Sequence, residues 1–284
     1  MNIALIAPIE RNIECLNKQT GIVGFPRLYE DEAIRCFQSW RRHGGWLKDI
    51  PIYTLCSTGN SISRDTEAKL ANLGVTHVDA YAEETKGYSS GFLTLPYCGM
   101  FFQEISPIKE DITVRIDLDM VLLKPLGEWL FEKIENATVI GQYDIDSIKD
   151  QRFSLNGVLP FDTGFMISHR KNHFYRSWHR MCNSTEVLES DEWKSIRKLM
   201  GDYYLEEFAV DYMFNRKLAN IMPVQKYQHG EGYASVDTFT DEQMDMLYFR
   251  HEHIYANNRF PWGYDSTRER LKYIRRMQGM HKTV

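Results

Sequence analysis

No stretch of this sequence approaches the ~20 consecutive apolar residues of a membrane-spanning helix. Paired cysteines are missing as well: Cys15, Cys36, Cys56, Cys98 and Cys182 are odd in number and share no short spacing. That pattern argues against a zinc site and fits free thiols in a reducing compartment. The opening MNIALIAPIERN has too short an apolar run for a signal peptide and no basic lead-in. The expectation is therefore a soluble, cytoplasmic protein. A basic field is also lacking, since the net charge is −5, so no nucleic-acid partner is expected. No internal repeat, low-complexity tract or linker divides the chain, and one domain over residues 1–284 is expected.

What is present is an ordinary globular composition, 43% hydrophobic and 26% charged, with ample length for a core. The charge is uneven, because Arg268–Lys282 holds six Lys/Arg against one acid. Its helical part, STRERLKYIRRMQ, carries Leu271 and Ile274 on one side and basic residues on the other. It either packs on the domain or makes a peripheral contact with anionic lipid.

The first half alternates. Apolar runs at Ile3–Ile9, Ile50–Cys56, Val75–Tyr81 and Ile112–Ile116 predict strands. Helical spacing over Glu30–His43, Ser63–Leu73 and Leu95–Ile105 predicts the helices between them, with Ser63 as N-cap and Gly74 past the end. This order predicts an α/β fold with a mostly parallel, Rossmann-like sheet. The second half is less regular. A short helix is expected over Leu126–Ile134, strands over Ala137–Tyr143, Thr163–Ser168, Ile221–Val224 and Met246–Ile254, and helices over Phe174–Met200 and Leu205–Leu218. A polar loop is expected over Asp144–Leu159, and the basic helix over Ser266–Met277.

The central stretch is Thr113–Leu126, TVRIDLDMVLLKPL, where an apolar strand breaks on Asp117 and Asp119. Two carboxylates at the C-terminal end of a central strand sit where an open α/β sheet binds ligand. Three readings arise. The pair holds a divalent cation, or it supplies a catalytic acid pair, or it is merely structural, as a solvated strand end or a salt-bridge partner for Arg115. A phosphatase of the haloacid dehalogenase type would make Asp117 a nucleophile, but that chemistry expects the pair on the first strand, and here three strand–helix units precede it.

The run ITVRIDLDMVLLKPLGEWL resembles the metal-binding segment of GT-A-fold glycosyltransferases, particularly the retaining group with glycogenin and bacterial lipopolysaccharide galactosyltransferases. FDTGFMI at Phe161–Ile167 is similar to that group's turn under the donor sugar, with Asp162 in place of Asn. HIYANNRFPW at His253–Trp262 is similar to its C-terminal segment, with Ala256 for Gly and Arg259 for Lys. The resemblance implies a GT-A fold with a nucleotide-binding half (1–125), a smaller mixed donor/acceptor part (126–265) and the basic C-terminal helix (266–284). It also implies a hexosyltransferase that uses a nucleotide diphosphate sugar such as a UDP-sugar, a hydroxyl or glycan acceptor, and Mn²⁺ or Mg²⁺, and that retains anomeric configuration.

By that resemblance Asp119 ligates the metal, and Asp117 shares it or binds the nucleotide ribose. His253 is the third ligand, with His251 the alternative; a structural role is the competing reading for either histidine. Arg259 contacts the diphosphate, or else stacks on Phe260 or Trp262. Lys86 is a second phosphate candidate, or a solvated loop lysine. Backbone groups of Ala7, Pro8 and Ile9 hold base and ribose. The Asp162-Thr163-Gly164 turn lines the donor pocket, Asp211 faces the reactive carbon, and Glu207 and Asp162 bind sugar hydroxyls. The competing reading of LEEFAVDYMFN is an amphipathic helix with a solvated acidic face. A non-catalytic nucleotide- or carbohydrate-binding module is a further alternative.

Overall fold

The computed structural model describes residues 1–9, 28–57, 62–80, 108–118, 120–143, 161–200, 205–216, 221–223 and 248–251. Strand β1 (Ile3–Pro8) is buried along its whole length, which is why it reads as an unbroken apolar run rather than an alternation. It pairs in parallel with β2 (Ile52–Ser57) on one side and β4 (Ile112–Ile116) on the other, so that Leu5 stands level with both Ile52 and Val114. Strand β3 (Val75–Ala80) extends the sheet beyond β2, again in parallel.

On the far side of β4 the sheet continues through β7 (Phe161–His169), which runs antiparallel to β4 and to β6 (Val139–Tyr143). Strand β8 (Ile221–Pro223) is parallel to β6. The order is β3-β2-β1-β4-β7-β6-β8, with β7 alone reversed among the described strands. A separate two-stranded ladder joins β5 (Met120–Leu122) to β9 (Phe249–His251).

Alternate residues of the central strands feed two apolar layers. Ile3, Leu5, Val114 and Ile116 face Phe37 and Trp40 of α1 (Leu28–His43), with Leu70 of α2 (Arg64–Asn72) and Leu130 and Phe131 of α3 (Trp129–Glu132). Ala4, Ile6 and Met166 face the other layer, built from α4 (Phe174–Cys182), α5 (Thr185–Leu188), α6 (Asp191–Met200) and α7 (Leu205–Asn215). Trp178, Trp193 and Phe208 fill that layer. A sheet covered on both faces needs its central strands apolar on both sides, as β1 is; β4 is apolar on one face and buries Thr113 and Arg115 on the other.

Local chemistry sets the element ends. The Ser63 side chain accepts from the Thr66 amide to cap α2, and Gly74, just beyond that helix, takes φ 67°. Glu30 in the first turn of α1 accepts from the Ser63 amide at 2.9 Å and the Ser63 hydroxyl at 2.6 Å, joining the two helix starts. The region 174–200, expected as one helical stretch, is broken into α4, α5 and α6. Ser184 caps α5 by accepting from the Val187 amide, and the Ser190 hydroxyl accepts from the Trp193 amide at the start of α6. FDTGFMI is also not a turn, since it lies within β7. No helix among the described residues is long and apolar enough to cross a membrane. The expected helices over Leu95–Ile105 and Ser266–Met277 and the loop Asp144–Leu159 fall outside the described residues.

Candidate active site

The chain leaves β1 toward β2 on one side, while β4 lies against its other side, so the strand order reverses between β1 and β4. The C-terminal ends of the two parallel strands lie side by side at that reversal, which is where open α/β sheets bind ligands. Ala7, Pro8 and Ile9 close the β1 end; all three are buried, and the Ile9 amide donates to the Leu55 carbonyl at 2.9 Å. Asp117 closes the β4 end. Its amide donates to the Gly164 carbonyl at 2.8 Å, and its own carbonyl accepts from the Met120 amide at 3.2 Å, turning the chain from β4 into β5. From α1 the Cys36 thiol approaches the same carbonyl at 4.0 Å.

Behind Asp117 lies the side chain expected as a salt-bridge partner of the aspartate pair. Arg115, two residues earlier on β4, is fully buried. Its Nη1 is 3.4 Å from Asp117 Oδ1 and also donates to the Thr163 carbonyl. Its Nη2 is 3.7 Å from Glu206 Oε2, and its guanidinium carbon is 5.3 Å from the centre of the Trp178 ring. Trp178 is held in turn by its indole N–H, which donates to the Glu206 carbonyl at 2.8 Å. One cation thus joins the end of β4, the start of β7 and the first turn of α7.

The β7 contact occurs at an irregularity. Gly141 of β6 pairs with Met166 but the next residue, Gln142, pairs with Asp162, so Thr163, Gly164 and Phe165 have no β6 partner in the ladder. An interruption of this kind re-aims the backbone locally. It leaves the Thr163 carbonyl to Arg115 and the Gly164 carbonyl to the Asp117 amide.

The fold is that of the GT-A glycosyltransferases. Among solved structures, the galactosyltransferase LgtC in complex with donor and acceptor sugar analogs superimposes with a TM-score of 0.56 at 14% identity, over 98% of this chain and 95% of that one. The bifunctional glycosyltransferase WbbM, in its apo structure, gives 0.54 at 13% identity over 94% of this chain and 51% of its own. No family's sequence profile matches the chain, and no curated protein matches it in sequence.

Within this GT-A fold the expected site residues divide into those that converge and those beyond the described residues. Asp117 and Gly164 meet at the end of β4. Asp162 is placed by its backbone opposite Gln142. Glu207 and Asp211 lie on α7 and are half-buried, while the ion pair to Arg115 belongs to their neighbour Glu206, whose side chain is 14% exposed. In the first turn of α7, Glu206 is thus an ion-pair partner rather than a solvated acid. Asp119, Lys86, His253 and Arg259 lie outside the described residues.

The donor set suits a hard divalent ion. Asp117 keeps a third of its side chain exposed at the strand end. The β5–β9 ladder sets His251 directly opposite Met120, the residue after Asp119. Carboxylate oxygens with one imidazole fit Mn²⁺ better than Mg²⁺. The described residues alone contain no cluster of three such ligands.

Electrostatics around Arg115 follow from burial. Tyr175, whose hydroxyl accepts from the Thr113 hydroxyl at 3.2 Å, has its phenol pushed up to about 12 by burial, partly offset by that bond and by the Arg115 charge. Burial, with the Glu206 carboxylate adding to it, holds the Cys182 thiol well above its usual range.

Proposed function

We propose that this protein is a metal-dependent glycosyltransferase that moves a hexose from a nucleotide diphosphate sugar, UDP-linked, onto a hydroxyl acceptor with retention. The observation that carries this reading is Asp117, held at the end of β4 beside the end of β1, at the strand-order reversal of a GT-A fold.

In this reading the backbone of Ala7, Pro8 and Ile9 holds base and ribose, and Arg259 and Lys86 hold the diphosphate as fixed cations. Asp119 would hold Mn²⁺ or Mg²⁺ directly, Asp117 would share the ion or bind the ribose, and His253, or else His251, would be the third ligand. The bound ion supplies neutralisation of charge on the departing diphosphate. Asp162 and Glu207 orient the sugar through its hydroxyls, and Asp211 presents its carboxylate at the reacting carbon, where positive charge develops. The bond from that carbon to the diphosphate oxygen breaks, a bond to the acceptor oxygen forms on the same face, and the acceptor hydroxyl's proton passes to the departing diphosphate oxygen. The solved neighbours support the transfer class, since LgtC is a galactosyltransferase and WbbM a glycosyltransferase.

A thermal-shift panel of UDP, GDP and CMP, each with and without Mn²⁺, tests the reading. Stabilisation by UDP that needs Mn²⁺ is expected. No response to any nucleotide, with turnover of an aryl phosphate and phosphoryl capture on Asp117, would establish the phosphatase instead. Nucleotide binding without sugar transfer or donor hydrolysis would establish a binding module.

A further inference from the structure

Among the described residues Arg115 is the one basic side chain in the fully buried class, yet it reaches three separate parts of the candidate site. A cation removed from water is retained only when paired and hydrogen-bonded, so its enclosure draws both Asp117 and Glu206 toward it. The guanidinium is planar and projects its donors in a fixed fork, which sets directions as well as charge. The Trp178 ring lies 5.3 Å from its guanidinium carbon, and Trp178 is itself bonded to the α7 backbone at Glu206.

We infer that Arg115 is a positioning residue for the donor site. By engaging Asp117, the Thr163 carbonyl and Glu206 together, it locks the carboxylate at the end of β4 to the interrupted segment of β7 and to the first turn of α7. The acidic residues that follow on α7, Glu207 and Asp211, are thereby tied through Glu206 to Asp117. The inference rests on the donor-site reading above. It differs from a purely structural ion pair, which would hold the fold together without setting how the donor binds.

Three variants separate these roles: Arg115→Lys, Arg115→Met, and Arg115→Met combined with Glu206→Gln. Each is measured for melting temperature and, by calorimetry, for affinity toward UDP in the presence of Mn²⁺. Arg115→Met leaves two carboxylates without their shared cation and lowers the melting temperature. The double variant removes one charge of each sign and recovers most of that loss. A positioning role predicts that UDP affinity stays about 10- to 100-fold weaker in the double variant and in Arg115→Lys, the range expected when a supporting partner of a ligand-binding group is lost. Wild-type affinity in either of those two overturns the inference. Should Arg115→Met fail to fold, Arg115→Lys decides the matter by itself. A wild-type protein that binds no nucleotide with Mn²⁺ overturns the donor-site reading and this inference with it, a result distinct from a variant that keeps wild-type affinity.

Discussion

Arg115 Nη1 stands 3.4 Å from Asp117 Oδ1, a buried guanidinium beside a carboxylate one-third exposed. Glu206 stands on its other side at 3.7 Å, so the cation has an acid on each side. Asp117→Asn keeps the shape and removes the charge. The expected loss is ~1 kcal/mol of unfolding free energy, moderate because Asp117 is partly in water and Glu206 remains. Urea unfolding at neutral pH checks this; an unchanged midpoint would mean that the pair contributes nothing.

The Tyr175 phenol gives the fold an alkaline limit. Its value is about 12 in the folded chain against 10.0 for the free side chain. As pH rises through this window the unfolded chain gives up a proton that the folded chain keeps, so stability falls. The contribution is intact below pH 10 and declines by ~2 kcal/mol by about pH 12. Tyr175→Phe lacks this titration, so its stability relative to wild type should improve between pH 10 and 11.5. Parallel stability–pH curves for the two proteins would contradict the assignment.

Glu30 ties α1 to α2 through the Ser63 amide, the Ser63 hydroxyl and the Thr66 hydroxyl. Hydrogen bonds to a charged acceptor in a buried setting each contribute ~1.5–3 kcal/mol and do not add fully. Glu30→Ala is expected to cost ~3 kcal/mol. Glu30→Gln, whose amide oxygen still accepts, should cost less. Denaturant titration of the two ranks them, and equal losses would show that the charge, not the acceptor geometry, holds the helices together.

Two glycines contrast space with conformation. Gly74 has φ +67° but open surroundings, with Arg41 Nη2 3.5 Å from the place a Cβ would occupy. Gly45 has φ +57°, and a Cβ there would lie 2.6 Å from Pro125 Cγ. Gly74→Ala should lose only the left-handed penalty of ~1 kcal/mol, and Gly45→Ala more than that. A smaller loss at Gly45 would show that Pro125 yields.

Much of this architecture was readable before the structure. β1 reads as a buried strand because both its faces are covered, and Ser63 and Gly74 mark α2 because capping is a local property of the chain. The aspartate pair was legible for the same reason, as acids ending an apolar run. The breaks in 174–200 had a signal, Ser184 and Ser190, that the continuing apolar periodicity masked. The reversal of β7 had none, because strand alternation is the same in either direction. Arg115 was legible as a salt-bridge partner of the aspartate pair, but not as a cation shared with α7. Its partners Glu206 and Trp178 come from helices some 60 to 90 positions onward and meet it only when both pack on one face of the sheet.

The central claim is that the aspartate pair serves a metal-bound nucleotide sugar. It is tested most directly by following UDP-sugar hydrolysis in wild type and Asp119→Ala, with Mn²⁺ and with EDTA, after confirming that both proteins melt alike. Turnover that requires both Mn²⁺ and Asp119 is the expected result. Full turnover by Asp119→Ala in EDTA would contradict it.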